Sequence, residues 1–313
     1  MLYQEVKQHS WQKRNQQEWH HYSWRKFFSK RTKLLSIGSC FAVNFSRWIR
    51  LQGVTVLNPE WGMHYNLPTI YREFQHASGK KIKNIIWNIE GKRGAYYIDG
   101  NRHPIHASTL EKLKETHLKI VKDSHKALRT ADVILITLGL SEVWEEKVGD
   151  EWVTINRTPP EKIYNKERHK CRNLTVKESK EHLQNIIRLI RRYNKNADVV
   201  FSVSPIPLKT SFCDMNIKIS NLRSKMTLLT ALSEYMDECK ETIIYFPSFD
   251  IFMDSADRAK WFQLDERHFS AKGIEYFCKK FIEYFAIHPD EFQHDIDFKV
   301  PLVDENGLVT EAS

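Results

Sequence analysis

The sequence lacks the paired cysteines that a disulfide framework or a zinc ribbon requires. It contains an odd number of cysteines, with no close pair and no CxxC motif: Cys40, Cys171, Cys213, Cys239 and Cys278. This usage is typical of a reducing compartment, so we expect a cytoplasmic protein. We also expect no metal site, because the close cysteine pairs of structural zinc sites are missing.

Long apolar runs are missing as well. One of the longest, Val133–Leu138, is far shorter than the ~20 residues that span a bilayer. The first 31 residues are polar and basic and contain no apolar core of a signal peptide. Hydrophobic residues make up 41% of the chain and charged residues 28%, which is typical of a folded globular protein rather than a disordered one.

Concentrated runs of basic charge are short, although the net charge is +9. A basic balance favours anionic partners such as phosphates, an acidic glycan or nucleic acid. The clusters Lys80–Lys83 and Arg188–Arg192 are brief, and the second shares a helix with an apolar stripe. We interpret the second as a solvated helix face and disfavour nucleic-acid binding, which would predict strongly salt-sensitive affinity.

Short apolar strands alternate with helical patterns along the chain. The predicted strands are Lys33–Ile37, Val54–Leu57, Val133–Leu138, Val199–Val203 and Ile243–Phe246. The predicted helices are Phe41–Gln52, Leu67–His76, Ser108–Arg129, Thr175–Tyr193, Asn216–Cys239 and Ala271–Phe285. This alternation predicts an α/β fold with a parallel sheet and helices on both faces. Two stretches, Ile82–His106 and Val143–Thr158, instead predict β-hairpin insertions.

No repeat or linker divides the chain, so we predict one domain over residues 32–288. Residues 1–31 form an N-terminal extension whose aromatic side chains we expect to pack across the domain: Trp11, Trp19, Trp24, Phe27 and Phe28. Residues 289–313 are acidic and irregular, which predicts a poorly ordered C-terminal tail.

The segment Gly38-Ser39-Cys40 lies at the junction of the first strand and the first helix. Gly38 permits a sharp turn, and the free N–H groups at the start of the helix point back at the turn. These groups would stabilise the thiolate of Cys40, which is the nucleophilic form of cysteine. The alternative interpretation is a buried structural cysteine beside a glycine turn.

Four other polar segments follow predicted strands or precede the last helix: Trp61–Asn66, Gly139–Glu142, Ser204–Pro207 and Leu264–Ser270. In a doubly wound sheet they converge with Cys40 on one edge. A nucleophile, a base, a carboxylate and small turn residues would then share one crevice, as acyl transfer requires.

The string Gly38-Ser39-Cys40-Phe41-Ala42 and the later Asp265-x-x-His268 resemble the GSCFA family. That family is similar to the wider SGNH/GDSL hydrolase superfamily, and the resemblance covers about Leu34 to Phe285. It implies a flavodoxin-like, three-layer α/β/α sandwich. It also implies that Cys40 stands at the nucleophile position, with His268 as the base and Asp265 as the group that orients it.

The resemblance further implies an oxyanion hole that includes the backbone N–H groups of Cys40 and Gly62. The superfamily usually completes the hole with an asparagine in its third block, where this chain has Ser141 instead. The third donor is therefore either Asn66 or the Ser141 hydroxyl. Residues around these positions are expected to bind substrate: Ser39, His64, Gly139, Glu142 and Ser204.

The implied function is an esterase or deacetylase, or an O-acyltransferase, acting on a carbohydrate or related hydroxyl substrate through a thioester at Cys40. The basic charge is compatible with an anionic small-molecule or carbohydrate substrate. No cofactor is required, although acetyl-CoA is compatible as an acyl donor because exchange between thioesters is nearly balanced in energy. The missing asparagine favours an alternative, a non-catalytic module that binds a glycan or another ligand. The oligomeric state stays open.

Two further groups of residues invite a chemical interpretation. His64, His103 and His106 have no carboxylate pattern beside them, and we interpret them as structural histidines rather than metal ligands. Ser224 and Lys225 could form a dyad, but they lie inside a helical pattern. Adjacent helical residues point in different directions, so we expect at most a side chain that faces the substrate.

Overall fold

A computed structural model describes residues 25–91, 94–256, 258–293, 296–305 and 309–311. In chain order, the strands are β1 (Lys33–Ile37), β2 (Thr55–Leu57), β3 (Ile86–Gly91), β4 (Gly94–Asp99), β5 (His106–Ala107), β6 (Val133–Leu138), β7 (Glu142–Val148), β8 (Glu151–Ile155), β9 (His169–Asn173), β10 (Asp198–Val203), β11 (Ile243–Tyr245), β12 (Leu302–Val303) and β13 (Val309–Glu311). The helices are α1 (Cys40–Leu51), α2 (Leu67–Ala77), α3 (Leu110–Thr130), α4 (Val176–Tyr193), α5 (Ile217–Glu238), α6 (Ser248–Asp254) and α7 (Ala271–Phe285).

The central sheet has five parallel strands in the order β2-β1-β6-β10-β11. Numbered by their sequence within this sheet, the strands run 2-1-3-4-5, which is the flavodoxin-like order. The direction of winding reverses between β1 and β6, so the loops that follow these two strands diverge there. A crevice at the carboxyl ends of the strands is the consequence.

Side chains alternate between the two faces of the sheet. Leu35 and Ile37 pack among helices α2 to α5, whereas Leu34 packs with α1 and α7 on the opposite face. Every residue of β6 is buried, as the continuous apolar run predicts for a central parallel strand. The predicted α/β architecture with helices on both faces is therefore confirmed.

Both predicted hairpins form, and each gains a third strand. β3 and β4 pair antiparallel with β5 beside them, and β7 pairs with β8 on one edge and with β9 on the other. Ile85, Trp87, Ile98 and Ile155 form a small hydrophobic cluster between these insertions. β9 was not predicted, because its sequence His-Lys-Cys-Arg-Asn has no apolar alternation.

The described part of the N-terminal extension packs on the domain. The backbone N–H groups of Phe27 and Phe28 both donate to the Phe285 carbonyl, 2.9 Å away. The three tryptophans of the extension lie within residues 1–24, outside the described residues. In the parts of the chain that the structure describes, no helix combines the length and apolar character needed to cross a bilayer.

The segment after residue 289 differs from the poorly ordered tail that the sequence predicts. Phe292, Phe298 and Val300 are buried in the hydrophobic cluster around α1 and α7. Gln52 at the end of α1 holds this segment through hydrogen bonds to the backbone of Gln293, 2.8 and 2.9 Å long. Isolated apolar side chains anchor the segment. Because their spacing is that of neither a helix nor a strand, the sequence does not predict that the segment packs on the domain.

A buried charge cluster joins the first insertion to helices α2 and α3. Arg102 is fully buried and lies 3.1 Å from Glu73 of α2 and 3.2 Å from Asp99 at the end of β4. His117 of α3 lies 2.7 Å from the same Asp99 carboxylate. Because each charge in this cluster has lost its water, its stability depends on the presence of the partners.

We expect Arg102→Met to lower the free energy of unfolding by ~3–5 kcal/mol, because it leaves two buried carboxylates without their cation. Urea denaturation followed by circular dichroism measures this change. Arg188→Met, which removes an exposed guanidinium bonded to Asn185, is the matched control and should change stability by less than ~0.5 kcal/mol. Equal stability of the two variants would contradict the importance of the cluster.

Candidate active site

Gly38 makes the junction between β1 and α1 possible. Its φ angle is +148°, and a Cβ at this position would lie 2.0 Å from the Thr137 hydroxyl oxygen on the neighbouring strand β6. Its carbonyl accepts a hydrogen bond of 2.8 Å from the His64 N–H. Ser39 then stands at the N-cap position of α1 without a side-chain capping bond, and Cys40 is the first residue of the helix. The close strand contact therefore fixes where the thiol lies.

The Cys40 thiol lies in a buried environment, and burial raises its pKa. The positive charges of Arg267 and Lys225 act in the opposite direction, as do hydrogen bonds from the backbone N–H groups of Phe41 and Cys40 itself. The predicted stabilising contacts at the helix start are thus present, but loss of water outweighs them. A nearby group that takes the thiol proton would therefore assist the ionisation of Cys40.

A cavity of about 350 Å³ opens over Cys40 at the carboxyl ends of β1, β6 and β10. It is lined by six of the residues that the sequence assigns to the site: Ser39, Cys40, Asn66, Gly139, Glu142 and Ser204. The second insertion supplies another part of the wall through Trp144 and Ile155. The convergence on one sheet edge follows from the strand order described above.

Gly62 and His64 are two of the five predicted residues that do not line this cavity. Gly62 borders a neighbouring cavity, and a Cβ on it would meet the His103 carbonyl oxygen at 2.4 Å. His64 is fully buried with its Nε2 atom 3.1 Å from the Trp61 carbonyl oxygen, and burial lowers its pKa to about 3. Both positions have packing roles in the described structure, and His64 is a neutral imidazole.

Asn66 and Ser141 are the two alternatives for the third oxyanion donor, and they differ in position. The Ser141 hydroxyl lies inside the protein, 3.0 Å from both the Asn173 side-chain oxygen and the Ser224 hydroxyl. Asn66 lies on the cavity wall and caps α2 by accepting the Thr69 N–H at 3.1 Å. Since its oxygen faces that donor, its NH₂ group is the free half of the amide.

The predicted pair of Asp265 and His268 is formed. The His268 Nδ1 atom lies 2.5 Å from one Asp265 carboxylate oxygen. The backbone N–H groups of His268 and Arg267 donate to the other oxygen at 2.9 and 3.1 Å. Burial acts to raise the pKa of Asp265, but these hydrogen bonds outweigh it and lower the pKa. The carboxylate is therefore ionised and holds the proton of His268 on Nδ1.

Arg267 forms a hydrogen bond with the other ring nitrogen of His268. Its guanidinium Nη1 lies 2.7 Å from His268 Nε2, and an arginine can only donate in such a contact. Arg267 lines the cavity, whereas His268 does not. Among the described residues, the Cys40 sulfur forms no hydrogen bond with His268. The structure thus brings Asp265 and His268 together and places the Arg267 side chain, rather than the imidazole, on the wall beside Cys40.

Lys225, for which the sequence predicts at most a side chain that faces the substrate, lines the same cavity. The residue is 1% exposed, and its Nζ donates to the Gly139 carbonyl at 2.9 Å. Burial lowers its pKa to about 7, and the charge of Arg267 contributes to the decrease. The available signal was its position three residues before Leu228 and seven before Leu232, on the buried stripe of α5. The Ser224 hydroxyl bonds to Ser141 and does not line the cavity.

Cationic side chains dominate the charge on the cavity wall: Arg157, Lys209 and Arg267. Glu142 also lines the cavity, but its carboxylate already accepts hydrogen bonds from the Ser211 hydroxyl at 2.6 Å and the Phe212 N–H at 3.0 Å. Such a wall favours a ligand that carries negative charge.

Glu142 also belongs to a group that could hold a metal ion, together with Cys171 and Cys213. Their potential ligand atoms lie within 4.8 Å of one another. Burial and the nearby Glu142 carboxylate raise the pKa of both thiols. A metal would have to displace both thiol protons, and the Asn173 amide already donates to the Cys213 sulfur at 3.2 Å. These contacts fit a protonated, hydrogen-bonded group better than a preformed metal centre.

In a comparison with known proteins, the predicted site lies within the part of the chain that matches one protein family. The model of the GSCFA family matches residues 33–281, a range that contains all of the predicted site residues. A search of curated proteins finds no match.

We expect Gly38→Ala to lower the free energy of unfolding by at least ~3 kcal/mol, because the new methyl group would collide with Thr137 in a strained backbone. Gly53→Ala is the matched control, since Gly53 also has a positive φ of +83° but no atom lies within 4 Å of its added Cβ. It should cost about 1 kcal/mol. Urea denaturation of both variants measures the difference, and similar values would refute the close-contact explanation.

Proposed function

The chain belongs to the GSCFA family, and on this basis we propose that it is an acyl-transfer enzyme, similar to SGNH/GDSL hydrolases but with a cysteine nucleophile. One observation carries the proposal. Cys40 at the start of a helix shares a cavity with Arg267, the chain neighbour of His268, which is hydrogen-bonded to Asp265. The cavity beside them is lined with cations, so it could receive an acyl substrate with an anionic group.

In the proposed reaction, the Cys40 sulfur attacks the acyl carbonyl carbon and forms a thioester. The N–H groups at the start of α1 and the free NH₂ group of Asn66 would stabilise the oxyanion. Loss of one such donor typically costs on the order of 3 kcal/mol of transition-state stabilisation. Gly62 and Ser141 have no role in this proposal, because the first borders another cavity and the second is bonded in the interior.

His268 would act as the acid–base group of the reaction. Asp265 keeps its proton on Nδ1, so Nε2 is the nitrogen that can accept a proton from water or an acceptor hydroxyl. In the described arrangement Nε2 is bonded to Arg267. The guanidinium must therefore move away from the ring before His268 takes part.

The proposed substrate is an O-acylated carbohydrate or related hydroxyl compound with an anionic group. The carbohydrate class comes from similarity to the superfamily, whereas the anionic group is supported by the cationic wall of this chain. Hydrolysis and transfer to another hydroxyl are both compatible with a thioester intermediate. Acetyl-CoA is a suitable donor for the transfer reaction, because its phosphates are anionic and its acyl bond is a thioester.

A non-catalytic ligand-binding module is the second candidate function. The hydrogen bond from Arg267 to His268 Nε2 favours it, because this contact occupies the nitrogen that a catalytic base needs. The interior position of Ser141 favours it as well. This candidate predicts that an anionic ligand binds in the cavity while no covalent adduct forms on Cys40.

We expect p-nitrophenyl acetate or acetyl-CoA to leave one acetyl group on Cys40, detected by intact and peptide mass spectrometry. Cys40→Ala should lose the adduct, whereas Cys239→Ala, a matched change at another partly buried cysteine, should keep it. His268→Ala should retain the adduct while turnover falls by at least ~100-fold, because general-base catalysis is lost. Near-wild-type turnover by Cys40→Ala would rule out the proposed nucleophile.

We expect Cys40 to react faster with the anion iodoacetate, relative to neutral iodoacetamide, than free cysteine does. Arg157→Ala and Lys209→Ala should each lower the iodoacetate rate several-fold and leave the iodoacetamide rate unchanged, and added salt should reduce the effect. Lys126→Ala removes an exposed charge on α3 and is the control. A rate ratio that is the same in all variants would contradict selection for anions.

A further inference from the structure

The cavity contains a buried amine that the mechanism above does not use. Lys225 projects from α5, and the described structure provides one hydrogen-bond acceptor for its Nζ, the Gly139 carbonyl at 2.9 Å. An ammonium group carries three N–H donors, and burying it with one acceptor is unfavourable. A lysine in such a place is readily held in the neutral form, in which Nζ has a lone pair that can take a proton.

We propose that Lys225 is the base that takes the proton of Cys40, and that His268 is reserved for the substrate oxygen. This inference rests on the proposed function, because it requires Cys40 to act as the nucleophile. Two observations of position support it. Lys225 and Cys40 line one cavity, whereas His268 does not line it and the Arg267 side chain stands on the wall in its place.

The electrostatics of the two groups agree with this division of roles. Burial raises the pKa of the Cys40 thiol, so the thiol does not ionise without help. Burial lowers the pKa of Lys225 to about 7, so a large fraction of the amine is neutral at neutral pH. The charge of each group also acts on the pKa of the other, as expected for two neighbouring sites that titrate together.

Two other ionisable groups on the cavity wall are not among the main groups that shift the pKa of Cys40: His103, which lies against Tyr65 and has its pKa lowered to about 4 by burial, and Glu142, which accepts from Ser211 and Phe212. Arg267, from the loop before α7, lowers the pKa of both Cys40 and Lys225 and remains charged. Tyr65, from the loop before α2, has its pKa raised to about 12 by burial and by Cys40, so it stays a phenol. Arg157 acts on Tyr65 and is a cation as well. Among these neighbours, Lys225 is the group that titrates near pH 7.

The proposed step is balanced. The S–H bond of Cys40 breaks, its proton moves to the Nζ lone pair, and the sulfur electron pair forms the bond to the acyl carbon. When the tetrahedral oxyanion collapses, the bond to the leaving group breaks and the Lys225 ammonium returns the proton to the departing oxygen or sulfur. Lys225 is then neutral again. The thioester on Cys40 persists until an acceptor, deprotonated by His268, attacks it.

The test is the pH dependence of Cys40 alkylation by iodoacetamide, followed by peptide mass spectrometry and requiring no substrate. Below about pH 7 Lys225 is an ammonium, and above it a free amine, so the wild-type rate should rise as the pH passes through 7. Lys225→Met and Lys225→Arg should both lose this rise, with alkylation at neutral pH at least tenfold slower. Arginine keeps the charge but cannot accept the proton.

His268→Ala should keep the wild-type profile, as should Lys180→Met, which removes a lysine from the neighbouring helix α4 where it pairs with Glu238. Circular dichroism checks that the two Lys225 variants are folded. A wild-type profile in Lys225→Arg would show that charge alone matters and overturn the proposal. Loss of the rise in His268→Ala would also overturn it, in favour of His268 as the base.

The outcome in the wild-type protein separates this inference from the proposed function. If Cys40 is alkylated no faster than Cys239 at any pH, the nucleophile itself is refuted and the role of Lys225 with it. If wild-type Cys40 is reactive but Lys225→Met reacts equally fast with the same pH dependence, only the role of Lys225 is refuted.

Discussion

The contact between Gly38 and Thr137 is the constraint on which the site depends. It brings the ends of β1 and β6 together at the point where the winding of the sheet reverses, with no room for a side chain between them. The position of Cys40 at the first turn of α1 follows from it, as does the hydrogen bond that holds the His64 backbone against Gly38. The remaining groups of the site are placed around this fixed corner by the loops that follow β6 and β10 and by the loop before α7.

Burial determines the chemistry of the side chains at this corner. In water the contacts around Cys40 would favour the thiolate, yet in the cavity the loss of solvent reverses the balance. The same loss of solvent brings the pKa of Lys225 down to about 7. In water the amine has the higher pKa of the two, whereas at this corner burial reverses the order, because it raises the pKa of the thiol and lowers that of the amine. Asp265 is the opposite case, because its hydrogen bonds are numerous enough to keep it ionised despite partial burial.

The sequence predicts the central sheet and its helices well, because buried strands are continuous apolar runs and several helices carry their own start signals. The capping box of Thr175 and Glu178 is one such signal, and it is present in the structure. The resemblance to the GSCFA family implies the pairing of Asp265 with His268, and their contact is present in the structure. Lys225 and Arg267 could not be assigned in this way, since a residue pattern does not say which polar side chain loses its water or which nitrogen of an imidazole is occupied. The packing of the segment after residue 289 could not be predicted for a related reason. Its buried residues Phe292 and Phe298 do not recur at the spacing of a helix or a strand.

Asn156 connects the core of the protein with its second insertion through one side chain. Its amide oxygen accepts from the Tyr65 N–H and the Thr69 hydroxyl at 3.1 and 3.2 Å, and its NH₂ group donates to the Met63 carbonyl. The insertion forms one wall of the cavity, whereas the groups proposed to react come from the central fold. Changes in the insertion can therefore alter the shape of the cavity while the reacting atoms stay in place, provided that this amide is kept. Under the proposed function the choice of ligand is thus separate from the chemistry, and the Asn156 side chain is one of the contacts that join the two parts.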